Sequence, residues 1–372
     1  DFLVNNVLRG FILNLDSTRP YRSQSPYSYT DFGNETTSGE SHYGSAETTI
    51  NAGLDHYREC VAKKVVPFVS ESAVMGPTSI ECIKYMFPEE HWWPMDEMWD
   101  DRLMDNPYAA IRKTFAAREY QFASELYGEP TSLEDFVPKG MMYHAEALKC
   151  ESEYARGHKG VTQGFMNWMF SDIWPSCTWA IIDYNLEPKE AYYQLGRSYA
   201  PQYVNFYQNE CGDVVLFAVN DSRKPFSTKV TIKEKDYEGN IIKKEAISVD
   251  KLGNEIAFNK VIGKINKEHY LVAEYIVDGK NVKSLYSPDF FAHRKFESKF
   301  TYEVKKESEN KVVVEVEAET FVKSLFIHFK DNYKYIYSDN YLNIEPGDKV
   351  SVEITSNEPI DIASIMLDPY KA

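Results

Sequence analysis

All six tryptophans of this chain lie before position 203, whereas only 8 of its 30 lysines do. The spacing of apolar residues changes at the same point. Before Pro201, short apolar runs are set between helix-like stretches; after Tyr203, apolar and polar residues alternate one by one. Alternation with period two belongs to half-buried strands, and an apolar run between helices belongs to a parallel strand buried on both faces. A chain holding both patterns in succession reads as an α/β segment followed by an all-β segment. With 372 residues it has room for two to three domains, at about 150 residues each.

In the first segment, residues 65–69 and 164–170 read as buried parallel strands. Thr78 with Glu81 forms a capping box that opens a short helix. Asn106 and Pro107 open a helix that runs to Tyr127, where Gly128 and Pro130 stop it, and residues 145–156 form another. In the second segment, Val350, Val352 and Ile354 alternate with polar residues, as do the residues around Val312 to Ala318. Turn signals at Gly239, at Asp278-Gly279 and at Pro346-Gly347 separate short strands. The roughly 170 residues after Tyr203 exceed the roughly 100 of one sandwich, so two antiparallel sandwiches are expected, joined near 287–296. Lysines on these strands read as exposed-face and edge residues.

Composition narrows the function. A net charge of −16 repels phosphate backbones and anionic lipid, and no basic patch offsets it, so neither nucleic acid nor a membrane is an expected partner. No apolar run approaches the length of a membrane span. The five cysteines are odd in number and widely spaced, which reads as reduced thiols without a metal site. No cofactor motif is present. The acidic group Asp96, Glu97, Asp100 and Asp101 lacks the spacing of a calcium loop and reads as a solvated helix face. Asn34-Glu35-Thr36 and Asn220-Asp221-Ser222 match a glycosylation pattern too short to carry weight. The start lacks both Met and a signal-peptide pattern, so the chain reads as a piece of a longer protein, and its Lys-rich, Cys-poor composition as bacterial and cytoplasmic.

Chemistry concentrates after the two apolar runs. The first leads into Ser70-Glu71-Ser72 and then Gly76-Pro77. A carboxylate at the C-terminal end of a buried parallel strand sits where barrel enzymes hold their reacting groups, with a capping carboxylate as the other reading of Glu71. Ser70 and Ser72 lack the elbow motif of a serine nucleophile. The second run leads into Trp168, Asp172, Trp174 and Trp179. Indole faces stack on the C–H faces of sugar rings and carboxylates hold sugar hydroxyls, although tryptophans at such places also pack as core.

These residues resemble a known family. Phe68-Val69-Ser70-Glu71 with Gly76-Pro77, and Trp168-x-x-x-Asp172-Ile173-Trp174-Pro175 with Trp179, Asp183-Tyr184 and Lys189, are similar to the last barrel strands of the β-mannosidases of glycoside hydrolase family 2. Asp16-Ser17-Thr18-Arg19-Pro20-Tyr21, Ser25-Pro26 and Gly39-Glu40-Ser41-His42-Tyr43 resemble the stretch between that family's two catalytic carboxylates. Ser338-Asp339-Asn340-Tyr341 through Gly347 resembles its closing sandwich. The resemblance implies the second half of a (β/α)8 TIM barrel over residues 1–202, followed by immunoglobulin-like sandwiches over 203–290 and 291–372. It further implies a retaining exo-β-glycosidase without cofactor or metal, removing terminal β-D-mannose from a β-linked oligosaccharide or glycoside. Glu71 then matches the nucleophile and Trp168 an aromatic wall of the sugar subsite. Asp172 and Trp174 fix the subsite floor or pack; His42 bonds the sugar or the nucleophile, or is structural; Tyr43 orients the nucleophile. Arg19 reads as a structural ion pair.

Retaining chemistry also needs a general acid. In the family this follows an Asn upstream of the Asp-x-Thr-Arg-Pro segment, and no Asn-Glu lies between Asp1 and Asp16. The resemblance therefore implies that the acid belongs to a missing N-terminal part of the same enzyme, and that this polypeptide alone is inactive on ordinary mannosides. A homodimer is compatible with the sequence. Ala73, Gly44 and Ser171 stand where the family usually has Gly, Trp and Asn. The alternatives are a β-galactosidase or exo-β-glucosaminidase of the same family, or a noncatalytic carbohydrate-binding module.

Overall fold

Pro67 lacks a backbone N–H, so the apolar run that contains it cannot pair along its whole length. In the computed structural model, which describes residues 2–25, 41–44, 54–63, 65–103, 115–251, 253 and 255–371, the strand starts only at Val69. Residues 65–68 instead form an irregular lead-in, bent at Pro67: the Val66 carbonyl accepts from Thr162 Oγ1 at 2.7 Å and the Pro67 carbonyl from Gln163 N at 2.7 Å. Three strands, β1 (Ser41–Gly44), β2 (Val69–Ala73) and β3 (Phe165–Asn167), then run parallel in the order β1-β2-β3. The second apolar run also pairs for only three residues. Beyond Asn167 the chain loops round and runs parallel to itself, with Ile181 N and Ile182 N donating to the carbonyls of Met169 and Phe170.

Among the described residues this part of the chain also holds helices, the longest of which packs on β2. They are α1 (Arg9–Leu15), α2 (Leu54–Ala62), α3 (Ile80–Met86), α4 (Glu97–Leu103), α5 (Phe115–Tyr127), α6 (Leu133–Gly157) and α7 (Glu190–Ser198). The cap of α3 is Ser79, whose Oγ accepts from Cys82 N at 3.3 Å; Thr78, the residue expected there, donates to Asp183 instead. Helix α5 ends at Tyr127, before a left-handed Gly128 with φ of 84°; Asn106 and Pro107 lie outside the described residues. Helix α6 begins at Leu133, capped by Ser132, well before the expected start at 145. Pro138 in its second turn masks that start in the sequence. Of the tryptophans, Trp92, Trp93, Trp99 and Trp179 pack in or against the core, while Trp168 and Trp174 stay exposed.

From Gln202 onward the structure is antiparallel. Strands β4 (Gln202–Gln208), β5 (Val214–Asn220) and β8 (Phe258–Gly263) form one sheet in the order β4-β5-β8. Facing it across a core of Phe206, Leu216, Ile232 and Tyr275 is the sheet β10-β9-β6-β7, built from β6 (Phe226–Asp236), β7 (Ile241–Lys251), β9 (His269–Val277) and β10 (Lys280–Tyr286). Strand β5 is buried at every position because its two faces meet different layers: Leu216 and Ala218 face the partner sheet, and Phe217 and Val219 pack with the helices. Asp278 and Gly279, with φ of 49° and 78°, make the tight turn between β9 and β10.

The remaining strands are β11 (Phe300–Ser308), β12 (Lys311–Ala318), β13 (Val322–His328), β14 (Tyr335–Tyr337), β15 (Leu342–Ile344), β16 (Lys349–Ser356) and β17 (Met366–Asp368). They form the sheets β11-β12-β16-β14 and β15-β13-β17 around Val314, Leu325, Ile327 and Val352. The connection between the two antiparallel units is no solvated linker. Phe290 and Phe291 are fully buried in it at positive φ, Tyr127 Oη donates to the Phe290 carbonyl, and Phe291 packs on Phe321. Nor are all the lysines exposed: Lys323 is wholly buried over the Phe291 ring beside Glu146, and Lys235 and Lys283 hold acidic partners. Cys82, Cys150, Cys177 and Cys211 are free thiols.

Candidate active site

Side chains alternate along a strand, so Glu71 and Ser72 of β2 point to opposite faces. Ser72 is wholly buried, while Glu71 keeps about a third of its side chain open to solvent. Parallel register sets His42 of β1 directly beside Glu71, and His42 Nδ1 lies 3.5 Å from Glu71 Oε2. The other ring nitrogen, Nε2, lies 3.3 Å from Ser25 Oγ, which is 3.2 Å from Ser70 Oγ. An imidazole held at both nitrogens presents a fixed edge to the carboxylate. Tyr43 follows His42 on β1 with its Cα opposite Ser72; its side chain lies outside what the structure describes. Arg19 is exposed and pairs with Asp16 rather than with this group.

Trp168 stands one residue past the end of β3, and its N–H donates to the Ser72 carbonyl at 2.8 Å. That bond sets Trp168 just past the end of β3, beside the strand that carries Glu71, with 48% of the residue exposed. Trp174 lies farther along the same loop, 38% exposed, with the Arg102 guanidinium 5.5 Å from its ring centre. Asp172 behaves differently. It is buried, and its Oδ1 accepts from Ser176 Oγ at 3.0 Å and Thr178 Oγ1 at 2.6 Å, which ties the loop to itself. Burial raises its pKa, partly offset by Lys189 and these hydroxyls.

Two further groups lock the loops after β2 and β3 together. Asp183, wholly buried, accepts from Thr78 Oγ1 at 3.1 Å and from the backbone N–H of Glu187 at 2.9 Å. Lys189 Nζ donates to the Gly76 carbonyl at 3.2 Å. Gly76 allows this close approach, since a Cβ there would lie 2.5 Å from the His144 ring. The two loops that frame Glu71 and Trp168 are therefore cross-bonded by a carboxylate and an ammonium out of water, where such bonds are strong. The tie between His42, Ser25 and Ser70 was invisible in the sequence. Ser25 and His42 stand 17 residues apart and no local pattern links them.

Glu119 of α5 is buried near Asp172 and Lys189, and among the described residues neither of its oxygens has a hydrogen-bond partner. Burial pushes its carboxyl up to about 8, against the pull of Lys189. A carboxyl raised on folding binds more proton folded than unfolded, so stability declines as pH rises from the ordinary carboxylate range to about 8. Glu119→Gln is expected to flatten that decline and to leave the variant the more stable protein above it. Thermal melts from about pH 5 to about pH 9 check this.

No family model matches the chain. It is 29% identical over 215 residues to β-mannosidase B of Aspergillus niger, covering 52% of this chain and 25% of that protein. Superposed on the crystal structure of the β-D-mannosidase from Dictyoglomus thermophilum, it aligns over 100% of its own length and 45% of that chain, with a TM-score of 0.86 at 20% identity. Over about half of its length the chain is β-mannosidase-like in sequence. A shorter stretch of 70 residues is 39% identical to the exo-β-D-glucosaminidase of Arthroderma benhamiae, covering 18% of this β-mannosidase-like chain and 8% of that protein. The match to the Aspergillus protein spans a quarter of that relative's length. The likeness to the solved structure is one of fold: mostly β-sheet, with helices gathered in the first part of the chain.

Proposed function

We propose that this β-mannosidase-like chain carries the nucleophile of a retaining exo-β-glycosidase that removes terminal β-D-mannose. The observation that carries the reading is the carboxylate of Glu71 on a parallel strand, paired with His42 on the neighbouring strand and open to solvent. In this reading residues 1–202 are the later part of a (β/α)8 barrel, and 203–290 and 291–372 are immunoglobulin-like sandwiches that buttress it. The parallel order β1-β2-β3 with α6 packed on β2 supports the first assignment, and the paired antiparallel sheets support the others.

Glu71 attacks the anomeric carbon, forming a glycosyl ester as the aglycone leaves, and water then cleaves that ester with net retention. His42 holds Glu71 in place, and Trp168 forms an apolar wall against one face of the sugar. Trp174 extends that wall. Asp172 acts on the loop, through Ser176 and Thr178. The general acid, needed to protonate an ordinary alkoxide leaving group, is assigned to polypeptide outside these residues. A second reading, exo-β-D-glucosaminidase, draws on the 39% identical stretch.

A panel of nitrophenyl β-glycosides assayed with the product of the full reading frame tests the reading. Turnover of the mannoside above the glucosaminide, galactoside, glucoside and glucuronide is expected. Preference for the glucosaminide selects the second reading, and binding without turnover of any member selects a carbohydrate-binding module.

A further inference from the structure

Ser72 follows the candidate nucleophile directly, yet its side chain faces the helices, wholly out of water. A buried hydroxyl needs a partner, and this one donates to Glu151 Oε2 of α6. The other oxygen of Glu151 accepts from Tyr57 Oη of α2 at 2.5 Å. One carboxylate, itself buried, thus receives a hydroxyl from the strand and a phenol from a second helix. Tyr57 has its pKa raised by burial first and by its neighbour Glu151 second.

The backbone of Ser72 is equally committed. Its carbonyl accepts from Trp168 N, and its Cα pairs with Tyr43 of β1 and Asn167 of β3. Any slide of β2 along the helices therefore moves Glu71 and Trp168 together. An apolar side chain at position 72 would pack against α6 but leave that slide free, because dispersion contacts are non-directional. A hydrogen bond to a buried carboxylate is short, directional and strong.

We propose that Glu151 is a positioning residue, which through Ser72 fixes the height of Glu71 and Trp168 at the mouth of the site. The proposal rests on the reading of Glu71 as nucleophile. Displacement of a reacting group by about 1 Å costs on the order of 100-fold in rate. Ser72→Ala and Glu151→Leu are accordingly expected to lower kcat on an aryl β-mannoside by about 10-fold to 100-fold with KM changed less than about 3-fold. Glu151→Gln is expected to recover most of the loss, since a carboxamide keeps an acceptor for one hydroxyl and offers a donor to the other. Rates are referred to folded sites counted by a mechanism-based fluoroglycoside label, so that lost protein is not read as lost rate.

Unchanged kcat per labelled site in both Ser72→Ala and Glu151→Leu, with only the melting temperature lowered, makes the carboxylate a structural tie and overturns the proposal. Full activity in Glu71→Gln refutes the nucleophile assignment instead, so the two failures are distinguishable.

Discussion

Glu71→Gln is expected to lower kcat/KM on an aryl β-mannoside by about 10⁴-fold or more, because an amide cannot form the glycosyl ester through which both steps pass. The fold should tolerate the change. The side chain is partly exposed and its contact with His42 is long, so stability is expected to shift by no more than about 0.5 kcal/mol. The complementary variant, Glu71→Ala, leaves room for a small anion beneath the sugar. Added azide should then attack the anomeric carbon from the vacated face and expel the nitrophenolate, giving the α-mannosyl azide. Steady-state kinetics and product analysis check both expectations.

The second large effect concerns the junction between the two antiparallel units. Glu345, which follows β15 and is fully buried, accepts from Lys235 of β6 at 2.7 Å, Tyr270 of β9 at 3.0 Å and Lys283 of β10 at 3.0 Å. Lys283 also donates to Asp348 at 2.6 Å. Removing one partner of a buried charged group strands the others, which costs about 3–5 kcal/mol. Glu345→Ala is expected to lose about that much, out of a total stability on the order of 5–15 kcal/mol for a domain. Burial raises the Glu345 pKa, but the Lys235 hydrogen bond and the Lys283 charge outweigh it and hold the carboxyl below its usual range. A depressed carboxylate contributes fully above its unfolded pKa and loses its contribution as pH falls through the folded value. The gap between wild type and Glu345→Ala should therefore be full near neutrality and close below about pH 4, as measured by urea unfolding.

Much of this architecture was legible because each layer imposes its own period. The switch to alternation near Tyr203 anticipates the antiparallel strands, and left-handed glycines mark their turns at Gly239, Gly279 and Gly347. Strand β5 departs from alternation because both its faces are covered, a fact of packing that no local window contains. The apolar runs before Pro201 located β2 and β3 within a few residues. Their ends were misplaced because Pro67 and the loop after Asn167 satisfy the backbone through nonlocal bonds. The lysine-rich strands read as solvated faces, yet Lys323 and Lys235 are buried, since a distant carboxylate can hold an ammonium out of water.

The candidate site was legible as a set of residue types. The structure brings Glu71, His42 and Trp168 to adjoining strand ends, and it places Asp172 inside its own loop, away from solvent. Geometry that depends on register, such as His42 beside Glu71, follows from parallel pairing across 29 residues of sequence and could not be counted off locally. The same holds for Glu151, which meets Ser72 across 79 residues.

The central claim is that Glu71 is the nucleophile that bonds to the anomeric carbon of the sugar. Incubating the product of the full reading frame with a 2-deoxy-2-fluoro-β-mannosyl fluoride and mapping the adduct by peptide mass spectrometry tests it most directly, because fluoride departs without help from a general acid. An adduct on the peptide spanning Ser70 to Ala73, absent from Glu71→Gln, is the expected result. An adduct on any other carboxylate, with Glu71→Gln still labelled, contradicts it.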